Sequence, residues 1–260
     1  MTNESKTLFI PLSGKAAMSR EGFFPDETAE RIAADVSGEL RNVDRSRKLA
    51  VYMAMRAMQY DEIAAAFLAQ NRDCAVVHLG CGLDSRCLRV GHAGVRWYDL
   101  DFEEVIGLRR RWFDEDSEYR MLASSVTELS WLEEIAPCGH LLVLAEGLTM
   151  YLTAEDMTAL MQALAARFPQ VTFVFDAYSH TAARLSKYKN PINRVKAKIG
   201  FAMDAPEELS CGMRFAAVRE IILPRYIDRL RGIDRLRFRF MGRFGSKLYR
   251  IWQFESGKNE

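Results

Sequence analysis

Five short strand-like runs recur along the middle of this chain, with helical stretches between them, and this alternation constrains the fold more than any other feature. Ala75-Val76-Val77-His78-Leu79 stops at Gly80-Cys81-Gly82, and the run 96–101 ends on its own acid, Asp101. Residues 119–123 lead into Ser124-Ser125, residues 140–145 reach Glu146, and residues 171–175 reach Asp176. Apolar runs of this length, bounded by turn signals, read as buried strands. Strands alternating with helices build a parallel sheet covered on both faces. The expected fold is therefore α/β: a Rossmann-like, doubly wound, mostly parallel sheet. In such sheets ligands bind beyond the carboxyl ends of the strands. The five run ends are where chemistry is expected.

Apolar stripes at helical spacing predict helices over 27–40 and 48–58, and Asp61 is placed to N-cap a third over 62–69. Residues 1–70 thus read as a helical N-terminal cap, or lid. A helix is expected over 102–112. Thr153 and Asp156 form a capping-box variant that opens a helix stopped by Pro169. From 179 to 220 the pattern weakens, broken by Pro191, Pro206 and glycines, and reads as an insertion covering the substrate. Ile221-Ile222-Leu223 and the alternating run 248–254 suggest a late β-hairpin on one sheet edge. The 260 residues are expected to form one domain.

Composition mainly excludes. Apolar residues make up 49% of the chain, enough for a sizeable core. A net charge of +1 points to neither nucleic acid nor membrane as a partner. No apolar run is long enough to span a bilayer, and residues 1–6 lack a secretory pattern, so a cytoplasmic location is expected. The five cysteines are odd in number and show no CxxC spacing, which suits free thiols. The four histidines are scattered, so no metal site is expected.

Gly80 and Gly82 let backbone approach a ligand closely, but Ser85 stands where a dinucleotide fingerprint has its third glycine. This favours a nucleoside ligand without a diphosphate, such as S-adenosylmethionine. Asp101, 19 residues past Gly82, suits both ribose hydroxyls or a helix N-cap.

The stretch Val77-His78-Leu79-Gly80-Cys81-Gly82-Leu83-Asp84-Ser85-Arg86 resembles the LGxGxDxR signature of the leucine carboxyl methyltransferase family, which includes bacterial polyketide O-methyltransferases of the tetracenomycin type. Tyr98-Asp99-Leu100-Asp101 resembles its acidic second-strand motif, and Ala145-Glu146-Gly147-Leu148-Thr149-Met150-Tyr151-Leu152 its AEGxxxYL motif. Residues 10–16 and 56–61 look familial too. The resemblance implies a class I methyltransferase fold and S-adenosylmethionine as cofactor. It implies that Lys15 and Arg56 hold the methionine carboxylate and that the Gly80 backbone, in the Gly80-Cys81-Gly82 turn, takes the amino group. Asp101 would hold the ribose, Ser125 and Val126 would flank adenine, and Glu146 would stand by the methionine moiety. Relatives carry Asp-Leu where this chain has Ser125-Val126, and a serine is the weaker, neutral acceptor.

Methyl transfer from a sulfonium is an in-line displacement in which the protein supplies orientation and desolvation. A carboxylate acceptor is ionised at neutral pH and needs no base, whereas a phenol does. Tyr151 and Tyr178, near strand ends, are the candidate catalytic residues; His180 is a further one. Residues 181–250 carry 17 Lys and Arg against 6 Asp and Glu, which suits a small anionic acceptor. Two other activities fit part of the pattern. A nicotinamide-dependent oxidoreductase accounts for the glycines and Asp101 but not for residues 146–152. A non-catalytic ligand-binding protein accounts for the fold and the Ser125 departure.

Overall fold

The computed structural model describes residues 8–42, 46–186, 199–209 and 211–257. At its centre is a seven-stranded sheet of β1 (Cys74–Leu79), β2 (Arg96–Asp101), β3 (Tyr119–Ala123), β4 (His140–Ala145), β5 (Val171–Tyr178), β6 (Arg214–Glu220) and β7 (Tyr249–Ser256). Their order is β3-β2-β1-β4-β5-β7-β6. β1 to β5 run parallel, while β7 pairs antiparallel with β5, and β6 antiparallel with β7. All five runs expected as strands form the parallel part. The order reverses between β1 and β4, which opens a crevice at the carboxyl ends of the strands.

Because side chains alternate along a strand, the sheet feeds two cores. Val76, Leu142, Leu144 and Val174 pack with α1 (Phe9–Arg20), α2 (Glu27–Asp35) and α3 (Arg47–Gln70) on one face. Val77, Leu141, Val143 and Phe173 pack with α6 (Ala154–Arg167) on the other. The helices α1, α2 and α3 form part of the layer that covers this face of the sheet.

Several expectations change. Asp61 caps nothing, because α3 runs unbroken for 24 residues. No Gly or Pro lies between 47 and 70 to interrupt it, and the Asp61 carboxylate instead accepts from Arg86 and Arg89. The helix expected over 102–112 is the shorter α5 (Glu103–Arg109). The Thr153–Asp156 capping box forms as expected at the start of α6. Ile221-Ile222-Leu223 is no strand: Ile221 and Ile222 are buried in a connection whose carbonyls at Glu220 and Ile221 accept from the Gln59 amide. β6 and β7 pair, but α8 (Pro224–Ile227) and α9 (Gly232–Gly245) separate them, so they form no tight hairpin.

Of the insertion expected over 179–220, residues 187–198 and 210 lie outside the described residues. It opens with α7 (His180–Ser186), and its end is β6, which belongs to the sheet. Residues 199–203 cross the strand ends as a strap. There the Gly200 N–H donates to the Met150 carbonyl at 2.7 Å, and the Met203 N–H donates to that of Tyr178 at 2.9 Å.

Candidate active site

The glycine turn after β1 has the backbone its sequence requires. Gly80 has φ 61° and Gly82 φ 53°, both left-handed, where a side chain is strained. A Cβ on Gly80 would also lie 3.0 Å from Leu148 Cδ1. β2 closes the turn: the Cys81 N–H donates to the Leu100 carbonyl at 3.1 Å. Asp101 Oδ2 accepts from the Gly82 N–H and Oδ1 from the Phe102 N–H, both at 2.8 Å. Burial raises the Asp101 carboxyl above its usual range, opposed by these two donors. Asp101 is thus a staple between the turn and the start of α5, and it lines the crevice.

Behind the crevice lies a network of charges. The Lys15 Nζ, on α1, stands 2.6 Å from Asp84 Oδ2, with both side chains buried. The Arg56 Nε, on α3, donates to Glu146 Oε1 at 2.9 Å, and its Nη1 donates to the Tyr249 hydroxyl at 3.1 Å. Arg86, the first residue of α4 (Arg86–Val90), donates to Glu146 and to Asp61. Arg89 reaches Asp26, Asp61 and Asp84 at 2.7–2.9 Å. Burial alone would raise the carboxyls of Glu146 and Asp84. The neighbouring cations prevail: Arg86 and Arg56 hold Glu146 down at about 2, and Arg89 with Lys15 holds Asp84 well below its usual range. Such pairs cost desolvation and are retained because breaking one leaves a buried charge unmatched.

A second buried set, beside the turn, joins Asp99 to Arg109, to the Tyr119 hydroxyl at 2.8 Å and to the Trp97 indole at 2.9 Å. His78 lies between the two sets. Its Nε2 is 2.9 Å from Arg86 Nη1, and its Nδ1 is 3.6 Å from Asp99.

Lys15, Arg56, Gly80, Cys81, Gly82, Asp101, Glu146 and Tyr151 all line one cleft. Ser125 and Val126 do not line it. They follow β3, where Ser124 N–H donates to the Asp101 carbonyl; the Ser125 hydroxyl engages Thr127, and Val126 is buried in the core. Tyr178 also stands outside it, its ring packed 4.2 Å from that of Tyr249. His180 is on the surface, paired with Glu208 at 2.5 Å. The apolar wall of the cleft comes from residues not singled out in the sequence, notably Leu8, Phe102, Val105 and Leu148. Asp61, read as a helix cap, and Tyr249 were missed as partners of the site; Asp176 marked one of the five run ends, although β5 continues two residues beyond it.

The cleft fits S-adenosylmethionine on its donor set. Two cations stand at one end for a carboxylate, an acid at the end of β2 suits a ribose, and glycine backbone sits where a Cβ would intrude. It fits a dinucleotide poorly: Ser85 is buried with its hydroxyl on Asp26 at 2.6 Å, and α4 spans only five residues. No group of His, Cys, Asp and Glu among the described residues could hold a metal ion.

A sequence profile of leucine carboxyl methyltransferases matches residues 12–165. The chain belongs to that family. Leucine carboxyl methyltransferases depend on S-adenosylmethionine, and this one is an S-adenosylmethionine-dependent methyltransferase. It is similar to the tetracenomycin polyketide synthesis O-methyltransferase TcmP of Streptomyces glaucescens, at 33% identity over 83% of this chain and 82% of that one. It is also similar to the S-adenosyl-L-methionine-dependent methyltransferase dpfgK of Gibberella zeae, at 29% identity over 80% and 78%. The fold of this family member matches that of magnesium protoporphyrin IX methyltransferase (ChlM) from Synechocystis, solved with bound SAH. There the TM-score is 0.51 at 13% identity, covering 89% of this chain and all of the other.

Proposed function

We propose that this methyltransferase modifies a carboxylate oxygen of a small, anionic, polyketide-like molecule, with a phenolic hydroxyl as the second choice of acceptor. Lys15 and Arg56 hold the donor's carboxylate, the Gly80 carbonyl its amino group and Asp101 its ribose. Glu146 keeps Arg56 and Arg86 in place from the opposite side. The bound donor supplies an electrophilic methyl group on a sulfonium. The protein orients the acceptor oxygen towards it and excludes water. Phe102 and Leu148 offer apolar surface for adenine, a contact that the backbone after β3, at Ser125 and Val126, can complete.

One observation carries the choice of acceptor. Every carboxylate, cation and imidazole that lines the cleft among the described residues is already engaged: Lys15 with Asp84, Arg56 with Glu146, His78 with Arg86, and Asp101 with two N–H groups. Such a site lacks a ready general base. A carboxylate, with a pKa of about 4, arrives ionised, while a phenol, near 10, arrives protonated. Tyr151, on the cleft, is better placed than Tyr178 to position the acceptor. The names of TcmP and of the family itself support an oxygen acceptor, and the basic excess over 181–250 supports an anionic one.

Labelled donor with a library of aromatic acids and phenols tests this. A carboxyl product is an ester, and mild alkali releases its label; a rate that is flat from about pH 6 to 8 accompanies it. Label that survives alkali, with a rate that climbs with pH, identifies an ether and overturns the carboxylate assignment.

A further inference from the structure

Four cations and five acids form one continuous network behind the donor end of the cleft. Lys15, Arg56, Arg86 and Arg89 face Asp26, Asp61, Asp84, Glu146 and Asp176. Matching one acid to each cation leaves one acid over, and geometry identifies it. Asp26, Asp61, Asp84 and Glu146 each make a contact of 2.9 Å or less with a cation. Asp176, near the end of β5 and fully buried, has Arg56 Nη1 at 3.5 Å from its Oδ2. That oxygen has no hydrogen bond of ordinary geometry among the described residues, though the Tyr249 hydroxyl faces the carboxylate and favours its charged form. Its other oxygen accepts from the Gly147 N–H at 2.8 Å. Asp176 therefore touches two groups that line the cleft, the Arg56 guanidinium and the Gly147 backbone, without lining it itself. These two are tightly fitted: Gly147 has φ 68°, and a Cβ there would lie 2.9 Å from Arg56 Nη2.

We propose that Asp176 is a positioning residue whose carboxylate gives the donor end of the cleft a negative excess, so that its charge shifts the balance of binding towards the cationic methyl donor and away from the demethylated product. The inference rests on the donor lying in the cleft as described above. The two ligands share their carboxylate, ammonium, ribose and adenine. They differ by one methyl group and one positive charge, because the donor sulfonium becomes a neutral thioether. Whatever Asp176 does by holding Arg56 or Gly147 in place helps both ligands alike. Its charge favours only one of them, and in a buried setting a charge acts over several ångströms. The consequence for turnover is release of the product in exchange for fresh donor.

The groups facing Asp176 leave it as the one whose charge changes near neutrality. Burial pushes its carboxyl up to about 6, with Arg56 opposing and Glu146 adding to the rise. Glu146, on the β4 side, stays ionised, and Arg56 stays charged. Tyr52 and Tyr60 on α3 and Tyr249 on β7 are phenols that burial holds in the neutral form. The negative excess is thus present above about pH 6 and lost as pH falls through that value.

Calorimetric titration of the full chain with S-adenosylmethionine and S-adenosylhomocysteine, from pH 5 to 7.5, tests the inference. In the wild type the preference for donor over product should grow with pH, on the order of three- to tenfold across the range. Asp176→Asn keeps an oxygen for the Gly147 N–H and removes the charge. Its preference should be lower at pH 7.5, and its pH series subtracts the contribution of every other group in the cleft. Equal weakening of both ligands in Asp176→Asn would mean a purely structural role and overturn the proposal. Should that variant not fold, a wild-type preference that stays flat across the range overturns it on its own. A wild type that binds neither ligand overturns the placement of the donor in the cleft, a different failure.

Discussion

Asp101 holds two backbone N–H groups, Gly82 and Phe102, with one carboxylate, and the donor ribose is proposed to share it. Asp101→Ala should therefore lower both thermal stability and donor affinity. Hydrogen bonds to a charged group contribute about 1.5–3 kcal/mol each, so binding should weaken at least about tenfold. A folded variant that melts lower but titrates with unchanged affinity would reduce Asp101 to a staple. Asp99 makes a different prediction. Burial raises its carboxyl, but Arg109, His78 and the Trp97 N–H outweigh this and bring it down to about 2, below the usual 3.8. A carboxyl lowered in the folded state stabilises fully above its unfolded pKa and loses that contribution as pH falls towards the folded value. Asp99 should thus contribute about 2 kcal/mol that persists to about pH 4 and fades towards pH 2. Urea unfolding of the wild type and Asp99→Asn over that window checks it: the two stability curves should converge at the acid end. At this scale the sequence was most legible where function is local. The glycine turn, Asp101 and Glu146 announce themselves within motifs of ten residues or fewer. Asp61 and Tyr249 do not, since Tyr249 meets Arg56 across 193 positions of chain and no spacing rule reaches so far.

Elements were legible in proportion to how far their pattern was their own. Strands β1, β4 and β5 are almost wholly buried apolar runs, while β2 and β3 carry charged residues among theirs, and all five were expected. α3 was split in two on the strength of Asp61, a residue that prefers caps in isolation but here answers Arg86 and Arg89, a tertiary demand. Ile221-Ile222-Leu223 has the apolar character of a strand, yet it is buried against helices, and the neighbouring 214–220, half exposed, takes the edge of the sheet instead. The strap over 199–203 had no signature beyond its irregularity. Its attachment makes a test. A Cβ on Gly200 would lie 2.5 Å from the Leu152 carbonyl oxygen, which is backbone and cannot turn aside. Gly200→Ala should lift the strap from residues 150–152, next to Tyr151 on the cleft. Faster amide exchange at Gly200 and Met203 and a raised KM for the acceptor, with donor affinity kept, are the expected results. Unchanged exchange at both amides would show that the strap is held elsewhere.

Across the whole molecule the sheet order ties the cleft to the last strand. β7 lies between β5 and β6 and pairs with both, buries Ile251, Trp252 and Phe254, and carries the Tyr249 hydroxyl that meets Arg56. A chain cut before Tyr249 should lose cooperative unfolding, as followed by circular dichroism; a cut chain that melts in one sharp step would refute this. Among the described residues no helix is long and apolar enough to cross a membrane. The position of β7 also sets an order of events during synthesis. A ribosome that has delivered residues up to 220 has made β6, yet β6 has no neighbour to join, because the strand that links it to β5 is still unmade. The open edge of β5 must wait through α8 and α9 before the last segment threads between two strands made earlier. Until then Arg56 lacks its phenol partner, so the catalytic cleft is among the last parts of the nascent polypeptide to mature.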